Sequence, residues 1–202
     1  MRVAVVNYGV GNIFSVTSAL KRLGVEVEVV AKLDPKSYDA IVLPGVGNFE
    51  AGSKALSERG LRGAIIEAIN AGVPVLGICL GMQLMLESSE EGEGEGLGVV
   101  KGRVVRLRVP GKLPHMGWNS LSLVRWSEFL DGLGDQEWAY FVHSYYPSPD
   151  DREVVLCETE YFIRFPSVLG FKGLYGTQFH PEKSGETGRK LLRNFIYKCV
   201  RR

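Results

Sequence analysis

Apolar positions in the first half of the chain alternate between two patterns. Continuous apolar runs at Arg2–Asn7, Val25–Val30, Asp39–Leu43 and Pro74–Ile78 read as strands. Between them lie stretches with apolar residues three and four apart. One is Gly11–Gly24, where Ile13, Val16, Leu20 and Leu23 precede a glycine stop; another is Glu50–Gly72, broken near Gly60 and Gly63. A further helix is predicted from Gly81 to about Ser88. Continuous apolar strands need cover on both faces, which predicts a mostly parallel α/β sheet flanked by helices.

The second half changes character. Glu90–Gly96 (EEGEGEG) reads as a solvated, mobile loop. The runs Val99–Val109, Trp118–Val124, Trp138–Ser144, Val154–Glu158, Ser167–Phe171 and Leu174–Phe179 predict an additional mixed or antiparallel sheet. Ser184–Val200 closes the chain as an amphipathic helix. Without an internal repeat or a dividing linker, residues 1–202 read as one domain.

Charge and cysteine content narrow the classes. With 24 Lys and Arg against 23 Asp and Glu, there is no global basic field to hold nucleic acid or anionic lipid. No apolar stretch reaches the ~18 residues of a membrane span, and the N-terminal run is too short for a signal-peptide core. A soluble, cytoplasmic protein is expected. Cys79, Cys157 and Cys199 are odd in number and widely spaced, and only His115, His143 and His180 could join them. Neither a disulfide framework nor a metal site is expected, which leaves a lone cysteine nucleophile.

Gly77-Ile78-Cys79-Leu80-Gly81 follows an apolar strand and opens a helix. That is the G-x-nucleophile-x-G elbow with cysteine in the serine position. The sharp turn needs flanking glycines, the helix N-terminus favours a thiolate, and the Leu80 amide is free to hold an oxyanion. A structural cysteine in a glycine-rich turn is the competing reading. A nucleophilic thiol needs a base and the base an orienting group. Phe179-His180-Pro181-Glu182 offers both, with strand alternation expected to put His180 and Glu182 on one side. Pro44-Gly45-Val46-Gly47-Asn48, after the third strand, offers backbone amides at a sheet edge where such folds bind ligands. Gly9-Val10-Gly11-Asn12-Ile13-Phe14 resembles a dinucleotide fingerprint, but Phe14 stands where the third glycine belongs. Gln83 lines the pocket or is a helix-face amide. Trp118, Trp126, Trp138 and the Tyr140–Tyr146 cluster are assigned to the core by default.

A cysteine elbow, a PGxG loop and a downstream His-x-Glu, in these positions, resemble the triad-type (class I) glutamine amidotransferases along the whole chain. Within them, three segments look like the glutaminase subunits of imidazole glycerol phosphate synthases: Asn7–Asn12 (NYGVGN), Leu113–Asn119 (LPHMGWN) and Phe141–Tyr145 (FVHSY). The second and third argue against the glutaminase of pyridoxal phosphate synthase, the nearest alternative. The triad argues against an inactive module, and the His-Pro-Glu segment against a cysteine peptidase or deglycase. The resemblance implies the class I fold, no cofactor, and catalysis by Cys79, His180 and Glu182. It puts the oxyanion hole at the Leu80 amide and the Val46–Gly47 peptide, which turns over to point its N–H inward. Gln83, Glu91, Ser144 and Tyr145 would grip glutamine. The partner would be a (β/α)8-barrel cyclase in a heterodimer, met by Asn12, Met116, Trp118, Tyr140 and Lys183.

Overall fold

The computed structural model describes residues 1–134 and 137–200; the expected domain 1–202 thus includes Asp135, Gln136, Arg201 and Arg202, which lie outside the described residues. In chain order the strands are β1 Arg2–Val6, β2 Glu26–Val30, β3 Ala40–Gly45, β4 Val75–Cys79, β5 Ser88–Ser89, β6 Gly102–Arg106, β7 His115–Leu123, β8 Glu137–His143, β9 Tyr145–Pro149, β10 Val155–Tyr161, β11 Ile163–Phe171 and β12 Leu174–Thr177. The helices are α1 Ile13–Lys21, α2 Phe49–Glu58, α3 Leu61–Asn70, α4 Leu80–Gln83 and α5 Gly185–Asn194.

Nine strands form one sheet in the order β2-β1-β3-β4-β12-β11-β10-β7-β8. From β2 to β12 the neighbours are parallel, and from β12 onward they are antiparallel. The three strands β5-β6-β9 make a separate small sheet. Along β1, Val3 and Val5 face a core with Val16 and Leu20 of α1 and Leu191 and Leu192 of α5. Ala4 and Val6 face the other core, with Leu56 of α2 and Leu61 and Ile65 of α3. Successive side chains of one strand thus feed two cores, which is why the run carries no polar alternation.

Several boundaries differ from expectation, each for a local reason. The helical region after β3 breaks only at Gly60, which takes φ +68°; Gly63 sits inside α3. The helix expected over Gly81–Ser88 stops at Gln83. The carbonyls of Leu84, Met85 and Leu86 accept instead from the amides of Leu97, Val99, Val100 and Gly98. The returning segment lies so close that a Cβ on Gly96 would overlap the Leu86 carbonyl. The acidic loop before it is anchored as well: Ser53 Oγ donates to the Glu95 carbonyl at 2.6 Å, and Arg62 pairs with Glu95 at 2.9 Å. Strand β9 (YYPSP) escapes the sequence reading because of its two prolines, which are tolerated there because β9 is the edge of the small sheet.

The elbow depends on the absence of side chains. A Cβ at Gly81 would overlap the Leu43 carbonyl, and one at Gly77 would stand 2.6 Å from the Met82 nitrogen. We expect Gly81→Ala to lower stability by about 3 kcal/mol or more, the upper end of overpacking costs. Gly63→Ala, with open space around its Cβ position and a helical backbone, is expected to raise it by roughly 0.5–1 kcal/mol. Urea midpoints of the two variants check the pair.

Candidate active site

Three parallel strands deliver their carboxyl ends to one place. Gly45 at the end of β3 is in register with Cys79 at the end of β4, and Ile78 is in register with Thr177 of β12. The loop Val46–Gly47, the thiol of Cys79 and the segment Gln178–His180 therefore converge where ligands bind in such sheets. Cys79 has φ +53° and ψ −108°, a strained backbone for a residue with a side chain, and opens α4. The residue is 7% exposed.

His180 Nδ1 bonds Glu182 Oε1 at 2.9 Å, both side chains being almost wholly buried. The pairing does not come from strand alternation, as expected from sequence. β12 ends at Thr177, and Pro181–Lys183 is a 3-10 turn that brings Glu182 beneath the ring. Ser184 holds this turn, its Oγ donating to the His180 carbonyl at 2.7 Å and accepting from the Tyr140 amide at 2.9 Å. On the other side of the ring, Nε2 is buried without a formed hydrogen bond and interacts with the Cys79 sulfur. Burial alone would lower the pKa of His180. The sulfur and the Glu182 carboxylate outweigh it and push His180 up to about 10, so the ring carries its proton at neutral pH.

A cavity of about 300 Å³ opens on these groups and is lined by Val46, Gly47, Cys79, Gln83, Glu91, Pro114, Val142, His143, Ser144, Tyr145 and His180. It thus gathers every residue expected to touch substrate except Leu80, whose side chain is buried in the core and whose amide lies in the first turn of α4. The Glu91 carboxylate accepts from the Phe49 amide at 2.8 Å, and its partial burial raises its pKa. Gly47 lies at φ +102° with nothing within 4 Å of its Cβ position. Among the described residues no group of three or more His, Cys, Asp and Glu side chains could hold a metal ion, and no helix is long and apolar enough to cross a membrane.

A "Glutamine amidotransferase class-I" family model matches residues 4–199. The imidazole glycerol phosphate synthase subunit HisH of Methanopyrus kandleri is 54% identical over 198 residues, covering 95% of this chain and 96% of that one. The HisH subunit of Natronomonas pharaonis is 47% identical over 209 residues, covering 99% and 96%. This chain is a class-I glutamine amidotransferase of the HisH family. Solved structures share its fold at lower identity. PurLQS from Thermotoga maritima superposes with a TM-score of 0.76 at 23% identity, covering 96% of this chain and 97% of that one. A glutamine amidotransferase from the same organism gives 0.74 at 16%, covering 100% and 99%.

Of the residues expected at a partner surface, Met116 (62% exposed) and Trp118 (54%) stand out from β7. Tyr140 of β8 pairs across from Trp118, ring centroids 6.1 Å apart. Lys183 is exposed on the turn after His180, while Asn12 caps α1, its Oδ1 accepting from the Ser15 amide at 3.2 Å. Trp126 and Trp138 are also exposed, at 65% and 56%. All three tryptophans therefore lie at the surface rather than in the core expected by default, because β7, β8 and the segment between them lie at the end of the sheet. Three polar residues buried at this site have no role in the sequence reading: Tyr8, His143 and Gln178. The signal for the last was its place two residues before His180.

His115 and His143 form a buried pair, Nδ1 of the first to Nε2 of the second at 2.9 Å. Burial pushes His115 down to about 4 and His143 to about 3, so both rings are neutral at neutral pH. In the unfolded chain they return to about 6.5 and bind more protons as pH falls. Their contribution to stability is therefore complete above about pH 6.5 and lost as pH falls toward the folded values. Urea midpoints between pH 7 and pH 4 should drop less steeply in His143→Gln than in the parent. Equal slopes would show that His143 is not among the groups responsible.

Proposed function

We propose that this chain hydrolyses glutamine to glutamate and ammonia through a thioester on Cys79 and passes the ammonia to a (β/α)8-barrel cyclase with which it forms a heterodimer. The cyclase would use the ammonia to make imidazole glycerol phosphate and aminoimidazole carboxamide ribotide in cytoplasmic histidine biosynthesis. The observation that carries the reading is the hydrogen-bonded His180–Glu182 pair, set with its free ring nitrogen toward a cysteine at the floor of a cavity.

The geometry supports the following chemistry. The Cys79 thiolate attacks the side-chain carboxamide carbon of glutamine, and charge develops on the carboxamide oxygen. The Leu80 amide and the Val46–Gly47 peptide, once its N–H points inward, receive that charge. His180 gives its proton to the departing nitrogen, releasing ammonia and leaving the thioester. The neutral ring then takes a proton from the attacking water, glutamate leaves, and the thiolate and imidazolium are restored. Glu182 keeps Nδ1 protonated and holds the ring's charge. Gln83, Glu91 and the Ser144–Tyr145 backbone grip the substrate; the half-buried Glu91 carboxylate suits the α-ammonium.

Asn12, Met116, Trp118, Tyr140 and Lys183 form the face toward the cyclase. Two exposed apolar side chains on one strand beside the triad turn are a surface that covering would stabilise. Glutamate release should be measured for the chain alone and then with a cyclase barrel and its ribotide ligand. We expect strong stimulation in the complex, its loss in Cys79→Ala, and a fall of roughly a hundredfold or more in Glu182→Gln, the scale of general acid–base contributions. A high rate unchanged by the barrel would assign the chain to another partner. No release in a complex shown to form would end the glutaminase reading.

A further inference from the structure

Gln178 is wholly buried, and its Nε2 lies 3.6 Å from the Cys79 sulfur, within hydrogen-bond range for sulfur. Oxygen and nitrogen of an amide are interchangeable in shape, so which one faces the sulfur must follow from the partners behind it. Those partners decide it. The Tyr145 carbonyl can only accept, and Gln83 lies 2.9 Å from it, so the Gln83 atom there is Nε2. The same Gln83 Nε2 donates to Gln178 at 3.1 Å, so the Gln178 atom there is Oε1. What remains for the sulfur is the Gln178 N–H.

The Tyr145 carbonyl is itself fixed from a second side. It accepts from His143 Nδ1 at 2.9 Å, which leaves His143 Nε2 to accept from His115 Nδ1. His115 Nε2 then accepts from Asn119 Nδ2 at 3.2 Å. Asn119 has one orientation, since its nitrogen also donates to the Glu160 carbonyl and its oxygen accepts from the Ser120 amide. Every link between Asn119 on β7 and Cys79 therefore has a defined direction, with both histidines neutral. A donor held this rigidly favours a negative acceptor over a neutral one.

We propose that Gln178 is a further catalytic residue, a preset amide donor to the Cys79 sulfur whose polarity is imposed by the Tyr145 carbonyl through Gln83. It steadies the thiolate before attack and again when the thioester breaks. As a role in glutamine hydrolysis this rests on the function proposed above, but the contact is testable without any turnover. The other titratable groups facing the sulfur are His180 with Glu182 behind it, Tyr8, and, across the cavity, Glu91 and His143. The test leaves all of them in place.

The test is the pH dependence of Cys79 alkylation by iodoacetamide in the full chain, located by peptide mass spectrometry, with Cys79→Ala as the blank. In Gln178→Met, of similar size but without a donor, we expect alkylation at pH 7 to slow about tenfold and the half-maximal pH to rise by about one unit, the scale of one charge-assisted hydrogen bond. Gln178→Glu, which keeps the acceptor for Gln83 and loses the donor, should shift the same way. Folded variants whose profiles overlay the parent's overturn the proposal. Should circular dichroism show both variants unfolded, the parent decides. Its Gln178 side-chain amide resonances should move with the alkylation midpoint and lose that movement in Cys79→Ala; signals that stay still overturn it. A shift in the alkylation profile together with no glutamate release would leave the donor standing and remove the glutaminase reading.

Discussion

The turn at the end of β4 comes so close to β3 that two backbones touch with no side chain between them. Gly81 lies against the Leu43 carbonyl, and Gly77 lies beneath the Gly81–Met82 peptide. That contact forces Cys79 into its positive φ, at an expected cost of about 1–3 kcal/mol. The strain persists because the pairing of β4 with β3 and β12 leaves the chain no other path. The consequences follow outward: a thiol at a helix start, the Val46–Gly47 loop beside it, and the His180 segment arriving along β12.

Much of this was legible in the sequence, because it is recorded in residue types with few other uses. Glycines on both sides of Cys79, a proline between His180 and Glu182 and the apolar run of β4 all report a local requirement. The parallel half of the sheet was legible for a similar reason, since a strand buried on both faces has no polar positions to spare. What was hidden depends on partners far along the chain. The early end of α4 is set by amides of residues 97–100, and the anchoring of the acidic loop by Ser53 and Arg62. The exposure of Trp118, Trp126 and Trp138 follows from where their strands fall in the sheet order, which no local pattern states.

The site also shows how polar groups are divided between structure and chemistry. The Asn119–His115–His143–Tyr145 links leave no ring nitrogen idle along their length, as buried polar networks must to avoid a net penalty. Around Cys79 the pairing is incomplete. His180 Nε2, Glu182 Oε2 and Tyr8 Oη are buried without hydrogen-bond partners. Unpaired groups of this kind cost roughly 1–3 kcal/mol each, and of these three residues only His180 lines the cavity.

The turn that carries His180 and Glu182 also closes the sheet. β8 is the last strand of the nine, with one side unpaired by any other strand among the described residues. Midway along it, the Tyr140 carbonyl accepts from the His180 amide at 3.0 Å and the Tyr140 amide donates to Ser184 Oγ. The His180–Ser184 segment therefore serves as the guard on an open β edge, the kind of surface through which chains recruit one another into unwanted sheets. A displacement of this turn would thus move the His180–Glu182 pair away from Cys79 and uncover a template for self-association in the same movement, which ties the upkeep of solubility to the upkeep of the site.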